Sequence, residues 1–193
     1  MKKPAFIILA LAAAFAVNAS AQTSVVKGSS EPGKASVEQT VDVTATIIAI
    51  DRTTRDITLK GPKGNRVTVT AGPEVKNFDQ INVGDKVHAR YVDALVLELK
   101  HGNDLAVTRT DESSAKGAAP GAQPHGVAGR RITVVADVVA VDRQTQIVTL
   151  RGPELTVDMK VTDPNQLKRI QKGDQVYATY TQALAMVVEA VPK

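Results

Sequence analysis

Side chains able to do chemistry are few in this sequence, and they are scattered. There is no Cys, which removes thiol nucleophiles, disulfides, iron–sulfur clusters and cysteine zinc sites. Serine stands at 20, 24, 29, 30, 36, 113 and 114, all outside the two segments that read as folded. A serine nucleophile needs a rigid elbow beside a positioned base, so serine hydrolysis is not expected. No glycine-rich loop has the Walker or Rossmann spacing. The carboxylates that recur are Asp51, Asp85, Asp142 and Asp174. Each lies beside a turn signal, where an Asp side chain bonds its own backbone.

Histidine occurs at 88, 101 and 125. His88 falls between Val87 and Ala89, so it points away from their face, beside Arg90. In the second half of the chain the corresponding positions are Tyr177 and Thr179. These four residues, His88, Arg90, Tyr177 and Thr179, form the expected binding face. A metal site would need His88 and His101 to converge. A carboxylate-dependent hydrolase would need two acids about 5 to 10 Å apart in a cleft.

Two copies of one unit must position these residues. The segment 45–62, ATIIAIDRTTRDITLKGP, matches 136–153, ADVVAVDRQTQIVTLRGP, at an offset of 91. Further on, GDKVHARYVDAL at 84–95 matches GDQVYATYTQAL at 173–184, at an offset of 89. Each copy is about 60 residues long. It alternates with period 2 and is rich in Val, Ile and Thr, which is strand chemistry. Val43, Ala45 and Ile47 share a face, as do Ile57 and Leu59, Val67 and Val69, and Val87, Ala89 and Tyr91. Leu95, Leu97 and Leu99 complete five strands, and a single helical turn is expected near 77–81 and 164–170. The opening strand carries apolar residues on both faces (Ile47, Ile48 and Ile50; Val138, Val139 and Val141). That pattern predicts a long strand bent at a bulge, with a change of parity across the bend.

The fold class expected is therefore all-β, with two tandem five-stranded OB-like barrels at 41–110 and 131–193. Residues 111–130 are rich in Gly, Ala, Pro and Ser and read as a flexible linker; residues 22–40 read as a mobile arm. Leu105, Ala106 and Val107 offer a sixth strand. The two halves are then expected to have separate cores, with a protease-sensitive stretch between them.

Residues 1–21 read as a secretory signal: Lys2 and Lys3, an apolar run over 5–17, then Ala19, Ser20 and Ala21 at the cleavage site. Cleavage is expected between Ala21 and Gln22, giving a periplasmic protein with no membrane span. Loss of Lys2 and Lys3 lowers the formal net charge from +4 to +2. The signs are interspersed, and few aromatic rings remain, so neither a basic stripe nor a base-stacking platform for nucleic acid is present.

The residues Val43 to Asp51, Thr58 to Pro62 and Val83 to Val87 follow the pattern V-x-A-x-I-x-x-I-D, T-L-x-G-P, V-G-D-x-V. In these the chain resembles bacterial exported proteins of unknown function with small OB-like barrels. It is also similar in size and strand order to periplasmic copper-binding barrels, which hold copper through a His, two Met and a Trp. Here there is no Trp, and Met159 and Met186 lie in the other half from His88 and His101, so that ligand set is missing. The function expected is a non-enzymatic periplasmic binding or interaction protein, with a protein or envelope component as partner. Neither catalytic residue, cofactor nor resident metal is expected. The alternatives are a periplasmic copper-binding protein and a carboxylate-dependent envelope hydrolase.

Overall fold

The structure is a computed structural model and describes residues 22–73, 75–119 and 121–191; the proposed signal lies outside them. Ten strands form one antiparallel sheet. The first half contributes β1 (Gln22–Glu31), β2 (Lys34–Asp51), β3 (Asp56–Lys60), β4 (Arg66–Thr70) and β5 (Lys86–Lys100). The second contributes β6 (Arg109–Gly117), β7 (His125–Asp142), β8 (Ile147–Arg151), β9 (Thr156–Lys160) and β10 (Gln175–Glu189). The pairing order is β4-β3-β2-β5-β10-β7-β8-β9, with β1 beside β2 and β6 beside β7.

The long strands bend where the sequence carried apolar residues on both faces. In β2 the register with β3 slips between Ile47 and Ala49, and in β7 the register with β8 slips between Val138 and Ala140. Before the slip Ala45, Ile47, Ala136 and Val138 are buried; after it Ile50 and Val141 pack on the same cores. The extra residue inverts the parity, and both halves of each strand therefore reach apolar surroundings. A 3₁₀ turn (Phe78–Gln80) precedes β5, and α1 (Pro164–Arg169) precedes β10. Asp163 caps α1 by accepting from the Asn165 N–H at 2.8 Å. Phe78 and Ile81, like Leu167 and Ile170, are buried beneath these turns.

Several expectations are corrected. Val87 to Tyr91 and Leu95 to Leu99 are not two strands but one, β5. Residues 22–40 are not an arm but β1 and the start of β2; residues 111–130 are not a linker but most of β6 and the start of β7. Ser24 to Glu31 are all exposed. An edge strand with both faces wet needs only its ladder partner, so apolar alternation never marks it. Leu105, Ala106 and Val107 precede β6 without joining a strand. Further, the pairings run as one open path, and the sheet does not close into barrels.

The reason lies in β5 and β10, each 15 residues long, which pair with each other along their whole length. The N-terminal part of each serves its own half. The C-terminal part crosses to the other. Leu184 is buried in the first core, with Met186 and Val188 against it, while Leu97 and Leu99 pack on the second core. There are two cores, and each is completed by the final strand of the opposite half. The ends are fastened alike. Asp85 Oδ1 accepts from the Val191 N–H at 3.3 Å, and Asp174 Oδ1 from the Gly102 N–H at 3.4 Å. The Gln166 side chain holds the β1–β2 turn through Gly33, Ser30 and the carbonyls of Glu31 and Lys34. Asn77 holds the β6–β7 loop through the carbonyls of Ala119 and Ala122 and the Gly121 N–H.

Candidate functional site on the outer face of the sheet

Side chains alternate across a strand, so the register assigns every residue to one of two faces. The core face carries Val87, Ala89, Tyr91, Asp93, Leu95, Leu97 and Leu99 of β5 and Val176 to Val188 at even numbers of β10. The outer face carries the other set. His88, Arg90, Tyr177 and Thr179 all fall on that outer face, as the alternation predicts.

They do not, however, form one site. His88 pairs with Val187, whereas Tyr177 pairs with Glu98, ten positions further along β5. At about 3.4 Å per residue the separation is roughly 34 Å. The sequence put them together because they match in the repeat; antiparallel pairing of β5 with β10 sends matched residues to opposite ends. His88 is held between Glu189 Oε2 at 2.9 Å from its Nε2 and Thr44 Oγ1 at 3.1 Å from its Nδ1. Arg90 forks onto Asp42 at 2.7 and 3.1 Å, which raises the guanidinium further above its ordinary value through hydrogen bonding and charge.

Between these ends runs a stretch of small and β-branched side chains. Val92, Ala94 and Val96 of β5 and Thr179, Thr181, Ala183 and Ala185 of β10 are all partly exposed. Val127 and Val187 on the same face are exposed at 49% and 40%. Charged groups ring this strip: Arg90 with Asp42 at one end, Lys34 and Lys100 on Glu98 at the other. The two lysines pull the Glu98 carboxyl below its ordinary value, Lys34 by the stronger hydrogen bond.

The other chemical groups are engaged elsewhere. His88 lies near the start of β5 and His101 just past its end, so they do not converge. Met159 packs on the second core and Met186 on the first. Among the described residues, no three His, Asp or Glu side chains gather as a metal site. Asp51 accepts from the Thr53 and Thr54 N–H groups and Asp142 from those of Gln144 and Thr145. Asp85 and Asp174 accept from the Asn82 and Gln171 N–H groups, both at 2.9 Å. All four recurring carboxylates make the turn bonds that their positions imply.

One polar cluster has no local signature in the sequence. Asp93 and Gln182 face each other in mid-sheet on the core side, flanked by Tyr91 and Tyr180. Gln182 Nε2 donates to the Tyr91 hydroxyl at 2.8 Å. Asp93 Oδ1 is buried with no hydrogen-bond partner. Burial, then donation of the hydroxyl to the Asp93 carboxylate and repulsion by its charge, push Tyr180 up to about 12. Burial also raises Tyr91, helped by the Asp93 charge. The alternation placed both tyrosines on the core face, but nothing local in the sequence signals that the two halves bring them together.

Comparison with protein families, with curated proteins and with solved structures finds no match to this chain. Among the described residues, no helix is long and apolar enough to cross a membrane.

Proposed function

We propose that the chain is an exported, non-enzymatic binding protein that works in the periplasm and engages a protein or envelope polymer across the outer face of its central sheet. The observation that carries this reading is the strip from Val92 to Val96 and Ala183 to Ala185. It is small-chained, partly exposed and framed by paired charges. An open sheet face of this kind suits a macromolecular partner better than a small molecule, which needs concave burial. Export rests on the leader at 1–21 and on the resemblance to exported OB-like proteins. In that reading each lobe is an OB-like half-barrel, built of the bent strand, its hairpin and the helical turn, and completed by the opposite half's last strand.

The test is affinity capture from envelope extract with the wild-type chain and with an Arg90→Glu, Tyr177→Ala variant. Specific capture that the variant loses, at an unchanged Tm, supports the reading. Capture that the variant retains in full removes these residues from the function, and hydrolysis of an envelope polymer by the purified chain overturns the non-enzymatic assignment.

A further inference from the structure

The two halves match closely in their pairings but differ at their outermost strands. Counted from their partners β2 and β7, residue 26 of β1 corresponds to residue 113 of β6. Edge strands present unpaired backbone groups and are commonly guarded by charge. β6 is guarded: Arg109, Asp111, Glu112 and Lys116 stand among its nine residues, with Asp111 bound by both Arg109 and Arg130. The hairpin edges β4 and β9 are only five residues long. β1 is ten residues long and carries Lys27 and the terminal Glu31 as its only charges. At its centre Val25 and Val26 are 42% and 65% exposed.

We propose that β1 is a self-association edge, and that two copies of the chain pair β1 with β1 antiparallel, Val26 opposite Val26 of the partner subunit. An isologous contact of this kind closes on itself at two copies. Continuity of both faces across the joint requires the paired positions to add to an even number, because side chains alternate. Centring on residue 26 does so and pairs 22–30 of each strand. It sets Val25 against the aliphatic stem of the partner's Lys27, and Ser24 against the partner's Gly28. Centring on residue 27 instead would oppose two lysines, which is unfavourable for directly facing like charges. The guarded β6 keeps the opposite end of the sheet from pairing, so growth stops at the dimer rather than continuing as a filament.

The chain has no Cys, which makes the test direct. Val26→Cys and the matched Ser113→Cys are prepared in the otherwise unchanged chain and treated with a mild oxidant and with a short bis-maleimide. Val26→Cys should cross-link to a covalent dimer within minutes, and Ser113→Cys should stay monomeric. By sedimentation the wild type should be a dimer at tens of micromolar, and Val26→Lys a monomer with unchanged circular dichroism and Tm. A monomeric wild type overturns the proposal, as do equal cross-linking at 26 and 113 or a dimer that Val26→Lys leaves intact.

Discussion

Asp93 of β5 lies directly opposite Gln182 of β10, and these two residues occupy the same place in their respective halves. The pair therefore marks a pseudo-twofold axis through the middle of the sheet. Every other matched pair is thrown to opposite sides of it: Tyr91 and Tyr180, Asp85 and Asp174, Asn77 and Gln166. The clasps made by Asp85 and Asp174 and by Asn77 and Gln166 therefore each occur once on either side of it.

Asp174 should matter more to stability than its place in a loop suggests. It is buried and accepts from the Gln171 N–H, the Gly102 N–H and His101 Nδ1. Asp174→Ala leaves those groups without their acceptor, at a cost of about 1–3 kcal/mol. Urea unfolding should show a lower midpoint with an unchanged slope. Asp42→Ala, which removes only the exposed ion pair with Arg90, should cost less than about 1 kcal/mol.

The halves should not survive apart. Fragments 22–107 and 108–193, made separately, each lack the strand end that completes their core. Alone they should be unfolded or self-associated by size exclusion and circular dichroism, and on mixing they should form a 1:1 complex with native-like spectra. A single protease cut within 118–124 should likewise leave both pieces bound. Two stable monomeric fragments would contradict the exchanged cores.

Acid should loosen the β6 end of the sheet. Hydrogen bonds from Arg109 and then Arg130 hold the Asp111 carboxyl at about 2, against an ordinary 3.8. A depressed folded-state value means that the contribution is complete above the unfolded value and is lost as pH falls toward the folded one. Asp137, bonded first by Gln175 and then by Arg151, is depressed in the same sense. Stability measured from pH 5 down to about pH 2 should fall, and Asp111→Asn should flatten part of that decline.

Alkali should act at the axis. Tyr180 holds its proton to about 12 in the fold, against an ordinary 10.0. The unfolded chain loses that proton first, so stability is complete below about pH 10 and declines between 10 and 12. Tyrosinate absorbance should show a late component that Tyr180→Phe removes.

His88→Ala should leave copper binding unchanged. With no second His nearby, calorimetric titration with Cu(I) under reducing conditions should show nothing tighter than roughly micromolar, about −8 kcal/mol. Nanomolar binding abolished by the substitution would restore the metal alternative.

The parts visible in the sequence were those whose cause is local. Period-2 alternation located β2, β3, β4 and their counterparts, but divided β5 in two, at Val87 to Tyr91 and Leu95 to Leu99, where one strand runs from Lys86 to Lys100. Gly64 and Asp51 marked turns, and the double apolar phase of Ile47 to Ile50 announced the bulge. β1 and β6 escaped because Ser, Gly and Lys in an edge strand have no buried face to display. The exchange of β5 and β10 escaped for a different reason. Leu95, Leu97 and Leu99 look like core residues, and they are, but parity reveals which face they occupy and not whose core. Length was the available clue: strands of 15 residues are long beside hairpin strands of five. His88, Arg90, Tyr177 and Thr179 share the outer face because parity is local, and they lie far apart because their separation depends on a long-range pairing.

Seating Leu184 and Met186 in the first core also sets the order of events during synthesis. The residues that finish the first half are made only after β6 to β9 have been made. Until they arrive, Ile47, Phe78 and Ile81 lack part of their cover, and the contacts that supply it span more than a hundred positions. Contacts so distant in sequence make folding slow. A nascent chain of this design cannot close its first core until β10 has emerged.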